Sequence, residues 1–146
     1  MAKNDREAAR LLKLAADQGN KVAQINLSLF YEQGRGGSAK DDIEAARLNK
    51  LAADQGSAVA QYNLGVFYQL GQGGLTKDDR EAARLYKLAA DQGYAGAQFN
   101  LGVYYRDGDG RLAKNDREAA RQFKLAAAQG PGAGESAQIG ETALTL

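Results

Sequence analysis

The chain has 146 residues, a size that fits one domain, with 44% hydrophobic and 25% charged residues and a formal net charge of +1. That balance gives no reason to expect nucleic acid or an acidic membrane as partner, because both select for clustered positive charge. Cysteine and histidine are both absent, which excludes disulfides, thiolate nucleophiles, cysteine-based metal sites, HExxH centres and histidine general bases.

The N-terminal MAKNDREAAR has no hydrophobic secretory stretch, and no apolar run approaches the roughly 20 residues of a membrane span. The first periodic segment is EAARLLKLAADQG, Glu7–Gly19. Ala8, Leu11, Leu12 and Ala15 recur at i, i+3, i+4 and i+7, one face of a helix. Asn4 stands three residues before Glu7 as a capping box, and Gly19 marks the helix end. The segment recurs with Glu44, Glu81 and Glu118 near its start, preceded by Asp41, Asp78 and Asn115. Its closing phrase LAADQG begins at Leu14, Leu51 and Leu88 and returns as LAAAQG at Leu125, each 37 residues after the last.

Next comes VAQINLSLFYEQG, repeated as VAQYNLGVFYQLG and GAQFNLGVYYRDG. Ala23, Leu27 and Tyr31, with their counterparts Ala60, Leu64, Tyr68 and Ala97, Leu101, Tyr105, are spaced i, i+4, i+8 and predict a second amphipathic helix. Gly65 and Gly102 interrupt it, with Ser28 in the first copy; a small residue there implies close approach of a neighbouring helix. A very short turn joins the EAAR helix to this one, which makes the two antiparallel neighbours. The return connections are longer and glycine-rich: GRGGSAKD, GQGGLTKD and GDGRLAKN.

A 37-residue period of helix pairs is the mark of a solenoid, in which each unit buries its apolar face against its neighbours. The expected fold class is therefore all-α, an α/α superhelical solenoid. The expected organisation is a solenoid over 1–130, with a half repeat at 1–19 and full repeats at 20–56, 57–93 and 94–130. Residues 131–146 are out of register. They read as a capping helix, a flexible tail or a segment that docks on another molecule.

The pattern A-Q-x-x-L-[GS]-x-x-Y-x-x-G-x-G, then D-x-x-A, then A-A-x-Q-G resembles the Sel-one-like repeat, a relative of the tetratricopeptide repeat, over residues 5 to 130. Leu11, Leu48, Leu85 and Gln122 stand where that family often has tryptophan, and Leu14, Leu51, Leu88 and Leu125 where it usually has lysine. Gln122 suggests a last unit loosening toward a cap. The resemblance implies a right-handed superhelix with a concave groove and a role as an adaptor that holds other proteins.

The glycine loops do not make a phosphate site, because Lys40, Lys77 and Lys114 lack the preceding glycine of a Walker loop and are followed by Asp or Asn. Asp107, Asp109 and Glu118 faintly imitate a calcium loop, but Arg111 and Leu112 stand where an oxygen ligand and a glycine belong. No catalytic residue, cofactor or metal is expected.

Positions that vary inside the constant frame are the candidates for partner contact. They are Ile25, Tyr62 and Phe99; Leu29, Val66 and Val103; and Glu32, Gln69 and Arg106. Spaced i, i+4, i+7, they form one stripe, apolar with a polar edge, which either lines a peptide-binding groove or fills space between adjacent helices. Asn26, Asn63 and Asn100 recur beside it and bond either an extended peptide or a neighbouring helix. Three functional readings result: a scaffold that holds a protein or peptide; a structural array, natural or consensus-engineered, whose ends self-associate; or a regulatory or targeting arm of a larger enzyme.

Overall fold

The computed structural model describes residues 2–129, so the expectations for 131–146 lie outside the described residues. Within them seven helices run in order: α1 (Ala2–Asp17), α2 (Lys21–Gln33), α3 (Asp42–Asp54), α4 (Ala58–Leu70), α5 (Asp79–Asp91), α6 (Ala95–Asp107) and α7 (Asp116–Ala127). Each packs on the next in sequence, and the described residues include no strand. The protein is an all-α repeat solenoid.

Local chemistry sets the helix ends. Asn20 and Ser57 open α2 and α4 by accepting from the backbone N–H of Ala23 and Ala60, while Asp41, Asp78 and Asn115 open α3, α5 and α7 by accepting from Glu44, Glu81 and Glu118. Such caps are worth about 1 kcal/mol each. The reciprocal half of the expected capping box is replaced. Glu44, Glu81 and Glu118 turn to Arg47, Arg84 and Arg121, and the N–H groups of Asp41, Asp78 and Asn115 donate to the carbonyls of Tyr31, Tyr68 and Tyr105. The first copy departs altogether, because α1 already begins at Ala2 and Asn4 lies inside the helix.

The recurring phrase LAADQG is a helix terminus, with Gly56 and Gly93 at φ +89° just beyond α3 and α5. Its glutamine links one unit to another. The Nε2 of Gln55, Gln92 and Gln129 donates to Oε1 of Gln24, Gln61 and Gln98, each at 2.9 Å. Gln92 and Gln129 also reach back to the carbonyls of Gly56 and Gly93. Both partners of each pair are fixed motif residues, so the unit spacing is held by a repeated amide–amide hydrogen bond as well as by apolar burial.

Asp17, Asp54 and Asp91 lie at helix C-termini, where the macrodipole disfavours a carboxylate. Asp17 and Asp54 pair with Lys13 and Lys50 one turn back, at 3.8 and 3.6 Å. The hydrogen-bonded Glu44, Glu81 and Glu118 chiefly raise the pKa values of Arg47, Arg84 and Arg121, and across the unit boundary Asp17, Asp54 and Asp91 add a smaller part. Ala128 holds the corresponding position in the last copy.

Candidate functional site

The candidate stripe lies on α2, α4 and α6, and burial divides it. Tyr62 and Asn63 are fully enclosed, and Ile25 and Leu29 are buried with them. Tyr62 lies within a group of aromatic rings, 5.8 Å from Tyr86 and 5.0 Å from Tyr94 by centroid, with Gly96 packed against it. These four positions pack the interior. Asn26, Glu32, Val66, Gln69, Asn100 and Val103 are partly exposed, and Phe99 and Arg106 are exposed.

Tyr62 and Phe99 hold the same place in successive units, and each meets an aromatic ring one helix on. Phe99 meets Phe123 in a tilted contact, centroids 5.5 Å apart, as Tyr62 meets Tyr86 at 5.8 Å. Tyr62 is covered further by Tyr94 and Gly96, whereas the corresponding positions for Phe99 fall at 131 and 133, outside the described residues.

The asparagines point into the solenoid. Asn63 Nδ2 donates to Asn49 Oδ1 at 3.2 Å, and Asn49 in turn donates to Ser28 Oγ at 3.2 Å. Asn100 sits beside the Tyr62 and Tyr86 hydroxyls and partly offsets the rise that burial imposes on their pKa values. The structure therefore places Asn63 and Asn100 toward neighbouring helices. At Asn26 the facing position is Leu12, and the Asn26 Oδ1 is buried without a hydrogen-bond partner.

The polar edge changes character along the chain. Glu32 Oε2 is buried without a partner, and burial, reinforced by the Asp42 carboxylate and opposed by Lys40, pushes its pKa up to about 7. Gln69 accepts from the Tyr86 hydroxyl at 2.5 Å. Arg106 is exposed and pairs with Asp107 at 3.0 Å. Lys40 and Lys77 brace the edge from behind, donating to the carbonyls of Glu32 and Gln69 at 3.2 and 2.9 Å.

Two features escaped the sequence pattern. One is the glutamine ladder between units. The other is the partnership of the small position in α2, α4 and α6 with a variable position one helix on. A Cβ on Gly65 would meet the Tyr86 ring at 2.7 Å and one on Gly102 the Phe123 ring at 2.8 Å, whereas Ser28 faces Asn49. Covariation of these two positions between copies was the signal available. Gln122, at the leucine position, is buried; its Nε2 donates to Glu118, while its Oε1 is buried without a partner.

Antiparallel helix pairs repeated at constant spacing, with linking side chains fixed and one face variable, define a helical-repeat scaffold. The family model described as Sel1 repeat matches residues 1–20, 21–57, 58–94 and 95–131, and the chain belongs to the Sel1 repeat family. Among solved structures, it is similar to a protective antigen of uropathogenic Escherichia coli strains displaying an SLR fold, at 38% identity and TM-score 0.80 over 87% of this chain. It spans 27% of the antigen's chain. It is also similar to a Sel1 repeat protein from Oxalobacter formigenes, at 37% identity and TM-score 0.74, covering 92% of each chain. No curated protein sequence matches it. The Sel1 repeat is a non-catalytic scaffold fold whose members generally bind proteins.

Proposed function

We propose that this chain is a protein–protein interaction scaffold that holds a peptide or protein segment on the face built by α2, α4 and α6. The observation that carries the reading is the polar edge. In a frame that otherwise repeats, half-buried Glu32, hydrogen-bonded Gln69 and exposed Arg106 run from acid through amide to base. Packing accounts for Gln69, which the Tyr86 hydroxyl engages, but not for the exposed base at Arg106, which a partner carrying opposite charge would use. Val66 and Val103 supply apolar contact beside that edge, and Phe99 extends it at the end of the described array. Ile25, Leu29, Tyr62 and Asn63 support the face from beneath.

The test is capture of a partner by this chain and peptide mapping of the captured segment, repeated with Arg106→Glu. Loss or exchange of that segment with unchanged thermal stability supports the reading. Identical capture by both proteins removes the polar edge from it.

A second reading, end-to-end association of copies, rests on a different observation. Leu11 is 52% exposed although its counterparts Leu48 and Leu85 are buried, and Phe99 is 39% exposed although Tyr62 is buried. Light scattering over a range of concentrations separates the two, because a concentration-independent monomer contradicts self-association.

A further inference from the structure

A cavity of about 220 Å³ opens between α1, α2 and the loop after α2, with Ala9, Leu27 and Tyr31 as apolar walls and Ser38 on the loop side. The repeat explains why there is room. Ser38 occupies the loop position held by Leu75 in the second unit and Leu112 in the third. Leu75 packs against the clusters containing Ala46, Leu64 and Phe67, the counterparts of Ala9, Leu27 and Phe30. Leu112 does the same against the cluster of Ala83, Leu101 and Tyr104. In the first unit the leucine side chain is missing and its surroundings remain.

The mouth of this space carries positive charge of uneven availability. Arg10 is taken by Glu7 and Lys13 faces Asp17 at 3.8 Å. Arg6 makes no ion pair among the described residues, and its side chain lies along the loop, with Cγ and Nε 3.6 Å from where a Gly37 Cβ would stand. The second unit has Ile43 and Leu75 at these two places and the third has Arg80 and Leu112. Only the first unit combines an arginine with a small residue.

The geometry points to this cavity as a binding site for a branched aliphatic carboxylate of about leucine size. The hydrocarbon rests on Ala9, Leu27 and Tyr31, and the carboxylate meets the Arg6 guanidinium. A planar guanidinium holds a carboxylate through two parallel N–H bonds, which a neutral amide cannot match. The same chemistry is offered by a free short acid and by the C-terminal leucine of a polypeptide. The site is separate from the α2, α4 and α6 face and does not depend on it.

The test is a titration of the chain, monitored by backbone amide NMR, with 4-methylpentanoate, with its amide, and with acetyl-Ala-Ala-Leu bearing a free carboxylate. Saturable shifts centred on Gly36 and Ser38 are expected at roughly millimolar acid, a strength suited to so small a ligand. The amide is expected to bind about tenfold more weakly. Ser38→Leu, which restores the repeat's own residue, is expected to weaken the acid by at least about tenfold while raising the melting temperature. Arg6→Ala is expected to weaken the acid but not the amide. The tighter of the two acids assigns the source, small molecule or chain end, and either outcome upholds the site. Equal binding of acid and amide, undiminished binding by Ser38→Leu, or the absence of saturation overturns it.

Discussion

Between α2 and α3 the close approach of helices is made by Ser28 and Asn49, whose side chains hydrogen-bond and hand the network on to Asn63. One unit later the same approach, between α4 and α5, is made by Gly65 and the ring of Tyr86, which belongs to a group with Tyr62, Tyr94 and Tyr104. The backbone frame is common to both and the chemistry is not. The polar junction leaves Glu32 Oε2 on α2 buried without a partner, and the aromatic group of the second leaves the Tyr62 hydroxyl so. In the second, aromatic area fills the volume left by a missing Cβ. A position that varies between units can therefore be paired with another varying position inside the core, and variation alone does not mark a surface.

The largest effect that would test this contrast separates Tyr62 from Phe99. Tyr62→Ala is expected to cost about 3–5 kcal/mol, the usual loss for truncating an enclosed aromatic, while Phe99→Ala costs about 1 kcal/mol. Chemical denaturation of the two variants checks it, and equal losses would make them equivalent core residues.

Exchange of the junction chemistry comes next. Asn49→Tyr alone presses a ring onto Ser28 and is expected to destabilise by about 1–3 kcal/mol; adding Ser28→Gly recovers most of that loss. A strictly additive double mutant would deny the pairing of the two positions.

Gly65→Ala sets a helix-propensity gain of about 1 kcal/mol against a Cβ pushed to 2.7 Å from the Tyr86 ring. A net loss of about 1 kcal/mol is expected. A gain in stability would mean that the Tyr86 ring moves aside freely.

The smallest effect is pH-dependent and belongs to the first junction. Glu32 titrates near 4.5 when unfolded and at about 7 when folded, so the folded state holds its proton more tightly. Its relative stabilisation is fully present below pH 4.5 and is lost as pH rises through about 7. Glu32→Gln is therefore expected to raise stability by about 1 kcal/mol at pH 8, the value discounted for the side chain's partial exposure, and by almost nothing at pH 4. Thermal melts across that range check the convergence.

The helices, their order and the unit length were legible because each unit repeats its own local signals: alternating apolar faces, Asp or Asn caps and closing glycines. The links between units were harder to read. Gln24 and Gln55 are 31 residues apart and Asp17 and Arg47 are 30 apart, so neither pair obeys a helical or strand spacing. Seen singly, Asp17 opposes its helix dipole; the Lys13 ammonium one turn back, and more weakly the next unit's Arg47, offset that. The stripe was legible as a row of equivalent positions but not as inside or outside. Tyr62 is closed over by Tyr94 and Gly96, and no local pattern around Tyr62 predicts that cover. The cavity at Ser38 was present in the alignment of the loops, as a serine facing two leucines, and acquired meaning only with the walls in place.

The most direct test of the scaffold reading is site-specific photo-crosslinking to the captured partner, with the photoreactive residue placed at position 103 or 106 on α6 and, for comparison, at 87 on α5 or 124 on α7. Adducts from 103 and 106 that map to one partner segment are expected, with none from 87 and 124. Adducts from 87 and 124 alone would contradict a partner held on the α2, α4 and α6 face.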